Sequence, residues 1–186
     1  DIETPKQFWD IVHKLDRKVL EYSPSNGYEE LRKKYAAYFV DRCGIKDIDA
    51  TDILVTTGAS EALLFTLFSI LDPEDEIIIP EPLYANYIGF SRSGGITVRP
   101  ITTYFENAFA LPSIDEFEKV INERTKAILI CNPNNPTGYF YTDEELERLK
   151  AIVKKHDLFL ISDEVYRNFV YGDKQHHSLF NSPGLE

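Results

Sequence analysis

The sequence predicts an α/β protein, a three-layer αβα arrangement around a mostly parallel central sheet. Three observations carry that expectation. From about residue 45 onward, short apolar stretches alternate with helix-length segments, the order of successive βαβ units. The stretches are continuously apolar, as in Glu76-Ile-Ile-Ile79 and Lys126-Ala-Ile-Leu-Ile-Cys131, which fits strands covered on both faces. Gly, Pro and Asn punctuate the joins between them.

The elements follow in order. Thr4-Pro5 reads as a helix start, Thr as N-cap and Pro at the first helical position. Phe8, Ile11, Val12, Leu15 and Val19 then recur at helical spacing. Ser23-Pro-Ser-Asn-Gly27 breaks the pattern. A second helix is expected from Tyr28 to Arg42, with Leu31, Tyr35 and Phe39 on one face and Gly44 as terminator. Ile53 to Thr57 reads as a strand, and Ala59 to Leu71 as a helix closed by Pro73. Glu76 to Ile79 is a strand, Leu83 to Ser91 a helix ending near Gly94-Gly95, and Ile96 to Ile101 a strand. Ser113 to Asn122 is a helix, Lys126 to Cys131 a strand, and Thr142 to His156 a helix opened by a Thr142/Glu145 capping box. Leu158 to Ile161 is the last strand.

Composition narrows the function. A net charge of −11 disfavours a nucleic-acid phosphate lattice, which requires clustered Lys and Arg, and 43% hydrophobic residues suit a packed core. Cys43 and Cys131 match no metal spacing, and His156, His176 and His177 show no companion carboxylates at metal spacing, so no metal site is expected. Two unpaired cysteines and no membrane-length apolar run fit a reduced, cytoplasmic protein that does not enter a membrane. The length suits one domain or two. We expect an N-terminal helical segment, residues 1–44, packed on the rest or on a second subunit, and a ligand-binding α/β part, residues 45–186. The chain has no Met and ends on Ser182-Pro-Gly-Leu-Glu186 without an evident closing element. It is expected to be part of a longer protein.

Open α/β sheets bind ligands beyond the carboxyl ends of their strands. Gly58-Ala59-Ser60 follows one predicted strand and opens a helix. Free amides and the helix dipole there favour an anion such as phosphate; the alternative is a small-residue turn with Ser60 as an ordinary cap. Neither glycine-rich nucleotide fingerprint is present. Ser162-Asp-Glu-Val-Tyr166 follows the last strand. A carboxylate behind four apolar residues calls for a cationic or donating partner, such as a protonated ring nitrogen. Asp163 could also be a plain helix cap and Tyr166 a packed aromatic. Asn132-Pro-Asn-Asn-Pro-Thr-Gly138 makes a rigid polar hook on a core strand, which would hold the Asn135 amide at the sheet edge. Pro80-Glu-Pro-Leu-Tyr84 brings an aromatic that is either core or a platform for a flat ligand. A phosphate cradle, an acid, a rigid amide and an aromatic together describe a site for a flat, phosphorylated, nitrogen-containing ring. Pyridoxal 5′-phosphate is such a molecule.

These motifs, with Thr57-Gly-Ala-Ser-Glu-Ala-Leu63 and the run from Tyr22 through Gly27 to Leu31-Arg32, resemble in order and spacing the class I/II aminotransferases. Those are fold-type I pyridoxal-phosphate enzymes, with aspartate aminotransferase as the best-known relative. The resemblance covers residues 1 to about 172. It implies that the α/β part is an incomplete cofactor-binding large domain. It implies that Gly58, Ala59 and Ser60 hold the phosphate, that Tyr84 stacks on the ring, and that Asp163 pairs with the ring nitrogen. Asn135 and Tyr166 would bond the phenolic oxygen, with Asn135 also touching the substrate carboxylate and Asn135–Pro136 cis. Tyr22 would reach the phosphate of a neighbouring subunit, which implies a homodimer. The expected activity is amino-group transfer between an amino acid, aspartate by default, and a 2-oxo acid. Elimination or decarboxylation with the same cofactor, or a ligand-sensing domain of a transcription regulator, are the alternatives. One departure matters. The family's Schiff-base lysine lies a few tens of residues beyond the Asp-Glu-x-Tyr motif, and the arginine gripping the substrate carboxylate lies further on. Here only Lys174 follows Asp163, too close and in the wrong context. The chain by itself is expected to be inactive.

Overall fold

The computed structural model describes residues 2–173, 175–182 and 185. Lys174, and most of the tail read as lacking a closing element, lie outside them. Four strands form one all-parallel sheet in the order β2-β1-β3-β4. They are β1 (Glu76–Glu81), β2 (Thr97–Thr102), β3 (Thr125–Cys131) and β4 (Phe159–Asp163). Among the described residues, six α-helices accompany them: α1 (Lys6–Val12), α2 (Glu29–Cys43), α3 (Ala59–Ile70), α4 (Asn86–Ser93), α5 (Ile114–Val120) and α6 (Asp143–His156).

The pleat sorts the core into two layers. Ile77 and Ile79 of β1 and Ala127, Leu129 and Cys131 of β3 pack with Leu63 and Leu67 of α3 and Tyr87 of α4. Ile78, Ile128 and Ile130 point the other way, onto Phe117 of α5 and Leu146, Leu149, Ile152 and Val153 of α6. Successive side chains thus serve opposite faces, which is why these strands are apolar throughout. The αβα layering and the parallel sheet agree with the sequence expectation. The capping box that opens α6 is formed in both directions between Thr142 and Glu145.

Two predicted elements differ. The first helix ends at Val12 and starts after Pro5, which occupies the N-cap position expected of Thr4. Leu15 and Val19 fall outside it. None of its residues is buried, and a short helix with no surface to pack against gains little from extension. Ile53 to Thr57 is not a strand. No described strand lies beside it, and its Val55 amide donates instead to Asn26 O at 3.2 Å. That contact needs Gly27, where a Cβ would come within 2.6 Å of the Val55 Cβ and where φ is +88°. Arg32 reinforces the turn, its Nε donating to Gly27 O at 3.2 Å and its Nη1 to Ala50 O.

Glu76 sits at the amino end of β1 and is almost fully buried. Its carboxylate accepts from Arg99 Nη2 at 2.7 Å and Asn122 Nδ2 at 2.7 Å, with Arg124 Nη2 at 3.2 Å. The Arg99 hydrogen bond, followed by that of Asn122 and the two guanidinium charges, outweighs burial and holds the carboxyl at about 2 against an ordinary 4.5. A depressed carboxyl stabilises the fold above its unfolded value and loses that contribution as pH falls through its folded value. Denaturation of the wild type and of Glu76→Gln should therefore differ most at neutral pH. The gap should close between pH 4.5 and 2. An unchanged gap across that range would show that Glu76 is not the group responsible.

Candidate active site

The chain runs outward from β1 to β2 and returns to lay β3 on the other side of β1. That reversal leaves a crevice at the carboxyl ends of β1 and β3, where open parallel sheets place ligands. A cleft of about 280 Å³ lies at this end, lined by residues from Thr57 to Glu61, Leu63, Tyr84, Tyr87, Cys131, Asn135, Asp163, Val165 and Tyr166. Four strand-end or turn segments, far apart in sequence, therefore meet in one hollow.

The amino end of α3 forms one wall. Gly58, at φ +143° and ψ 173°, makes the N-cap in a backbone state that L side chains rarely adopt. The carboxylate of Glu61 accepts from Thr57 N at 2.7 Å and from Thr57 Oγ1 at 3.0 Å, and Thr56 Oγ1 donates to Gly58 O at 2.9 Å. Those bonds fix the loop without using the amides of Ala59 and Ser60, which have no acceptor among the described residues. With the Ser60 hydroxyl they offer donors at a helix terminus, an arrangement suited to an anion.

The hook after β3 is tied down by its other asparagines. Asn132 N donates to Asp163 O at 2.9 Å, and Asn132 Oδ1 accepts from Tyr141 N at 3.2 Å. Asn134 Oδ1 accepts from Thr137 N at 3.1 Å and Thr137 Oγ1 at 2.8 Å. The Asn132–Pro133 and Asn135–Pro136 bonds are both cis. Asn132 and Asn134 thus hold the loop internally. The Asn135 side chain has no hydrogen-bond partner among the described residues and lies at the cleft. The rigid polar hook on a core strand holds this one amide in place.

Asp163 ends β4. Its register partner is Cys131, so both side chains leave the sheet toward α3 and α4. A turn rather than a helix follows, so Asp163 is no helix cap. Its Oδ1 accepts from Val165 N at 3.1 Å and its Oδ2 from the Tyr87 hydroxyl at 2.7 Å. Tyr166, on that turn, reaches the cleft rim, where its ring meets Phe169 edge-on. Tyr84 lines the opposite wall, edge-on to Tyr87 with ring centroids 5.4 Å apart.

Of the residues singled out from sequence, Gly58, Ala59, Ser60, Tyr84, Asn135, Asp163 and Tyr166 come together in this cleft. Tyr22 does not line it and is fully exposed. Sequence reasoning missed Tyr87 and Glu61. Tyr87 stands one helical turn beyond Tyr84, and a buried tyrosine demands a partner for its hydroxyl. That was the available signal. Burial, then the bond to Asp163, keeps the Tyr87 hydroxyl protonated far above its ordinary range. Burial, then the Asp163 charge, pushes the Cys131 thiol up as well.

The sequence matches the family model described as aminotransferase class I and II over residues 3–185. The chain belongs to that family. It is 36% identical over 187 residues to aromatic-amino-acid aminotransferase 2 of Thermococcus litoralis, covering 100% of this chain and 48% of that protein. It is 38% identical over 181 residues to an aspartate aminotransferase of Bacillus subtilis, covering 96% and 45%. Among solved structures, the aromatic aminotransferase from Pyrococcus horikoshii superposes with a TM-score of 0.93 at 34% identity, covering 100% of this chain and 50% of that one. A Thermus thermophilus aspartate aminotransferase variant gives 0.91 at 33% identity, covering 98% and 47%. This aminotransferase-family chain spans about half the length of the curated relatives it matches. Among its described residues, no helix is long and apolar enough to cross a membrane.

Proposed function

We propose that this chain supplies the cofactor floor of a pyridoxal-phosphate-dependent aminotransferase, which moves an amino group between an amino acid and a 2-oxo acid. The observation that carries the reading is the convergence of Asp163, Asn135, Tyr84 and the open amides of Ala59 and Ser60 around one cleft. The family membership and the aminotransferase names of its relatives support it. The groups fit that cofactor by their chemistry: an anion site at one end, a carboxylate on the floor, an aromatic wall and a rigid amide.

In this reading Gly58, Ala59 and Ser60 bind the phosphate through backbone and hydroxyl donors. Tyr84 would supply an aromatic wall against the ring. Asp163 would accept a hydrogen bond from the protonated ring nitrogen and so favour the cationic form of the ring. Asn135 and Tyr166 donate to the phenolic oxygen, and Asn135 also faces the substrate carboxylate. When bound, the cofactor would supply an electron sink for the charge left at the substrate α-carbon. The protein's part is to hold that sink protonated and aligned. Residues 45–186 form the cofactor-binding part. Residues 1–44 pack against it and against a second subunit of a cytoplasmic homodimer, to whose phosphate Tyr22 extends. The exposed apolar side chains of this segment, among them Phe8, Trp9, Leu15 and Leu20, support that role. Aspartate is the favoured donor. The anchoring lysine and the carboxylate-binding arginine belong to the full-length protein, and so does the activity.

The test loads the full-length protein with pyridoxal phosphate and follows its visible absorbance while amino acids are added one at a time. Uptake of the cofactor, loss of absorbance with aspartate, and keto-acid product are expected. A protein that takes up no cofactor, or binds it and yields no keto acid from any donor, would refute the assignment.

A further inference from the structure

Asp163 is braced from behind, and the brace is buried in the layer between sheet and α4. Tyr87 is 2% exposed and Cys131 3% exposed. The Tyr87 hydroxyl donates to Asp163 Oδ2 at 2.7 Å while the Val165 amide donates to Oδ1 at 3.1 Å. The two donors approach different oxygens, so the plane of the carboxylate is fixed. Cys131 joins this brace to the hook: its thiol donates to Pro133 O at 3.2 Å, and the Tyr87 hydroxyl and the backbone N–H of Asn135 both act on its sulfur. The groups proposed for the two sides of the ring, Asp163 and Asn135, thus share one buried support.

We infer that Tyr87 is a positioning residue that sets Asp163 toward the ring nitrogen of the cofactor, with Cys131 carrying the same support to the Asn135 loop. The inference rests on the proposed function. Burial and the adjacent carboxylate keep the Tyr87 hydroxyl protonated, so it can donate to Asp163. It lies on α4, so the acid is held by an element separate from the strand that bears it. A carboxylate left with the Val165 amide alone could rotate about its own axis, and the ion pair with a ring N–H depends on direction as well as charge.

The experiment compares two probes on full-length apoprotein: pyridoxal phosphate, and an analogue with carbon in place of the ring nitrogen. Tyr87→Phe is expected to weaken pyridoxal phosphate about tenfold to a hundredfold, the span for a hydrogen bond to a charged group. The analogue, which has nothing for Asp163 to hold, should change by less than about twofold. Equal losses for both probes would mean that Tyr87 is merely structural, and no loss for either would mean that the brace is idle; each overturns the inference. A wild type that takes up neither probe refutes the proposed function as well, which separates the two failures. If Tyr87→Phe does not fold, 3-fluorotyrosine at position 87 keeps ring and hydroxyl. Its fluorine resonance should then shift on loading with pyridoxal phosphate and much less with the analogue. Equal shifts would overturn the inference.

Discussion

Asp163→Asn in the full-length protein is expected to lower kcat by about a thousandfold while leaving the fold intact. The replacement keeps the size of the side chain and can still meet the Tyr87 hydroxyl at the position of Oδ2. It removes the charge. Two unit charges about 4 Å apart interact by about 4 kcal/mol at an effective dielectric of about 20, close to a thousandfold in rate. The charge serves to keep the ring nitrogen protonated, without which the cofactor would take up less negative charge from the substrate, so its loss should fall mainly on kcat. Steady-state kinetics with saturating cofactor would check it. A loss smaller than about tenfold would show that Asp163 is not the partner of the ring nitrogen.

Ile128→Ala is expected to destabilise the protein by about 3–4 kcal/mol, within the range for emptying a fully buried aliphatic site. Ile128 is 0% exposed. It stands between Ile78 of β1 and Leu160 of β4 in the sheet and faces the α5/α6 layer. With neighbours on both sides and a helix layer above, the site has little room to relax. The measurement is the denaturant midpoint at unchanged slope. The cleft lies on the opposite face, at the end of the same strand, so cofactor affinity of the folded variant should stay near that of the wild type. A cost below about 1 kcal/mol would mean that this layer is less closely packed than its burial indicates.

Much of this architecture could be read before any coordinates existed. The apolar runs of β1 and β3 are buried on both faces and carry no alternation, so they announced a covered parallel sheet. The capping residues of α6 announced its start. The helix-opening Gly58-Ala59-Ser60, the polar hook and the acid after β4 stand at strand ends, where a doubly covered sheet exposes its loops. What local pattern misjudged was each segment whose state depends on a distant neighbour. Ile53 to Thr57 has strand composition, yet strand is a relation between chains of backbone, and its bonding goes to the Asn26-Gly27 turn. The stripe from Phe8 to Val19 has helical spacing, yet only Lys6–Val12 is helical.

By itself, then, the sequence determined the layered α/β class, the succession of elements from α3 to β4 and the residue types able to greet a phosphate, a ring nitrogen and a ring oxygen. These follow from local periodicity, turn chemistry and side-chain charge, which act over a few neighbours. Only the tertiary structure decided that those residues face one cleft at the β1/β3 reversal, and that Tyr87 stands behind Asp163 across 76 positions of sequence. Such contacts are set by strand order and register, which arise from packing the whole chain.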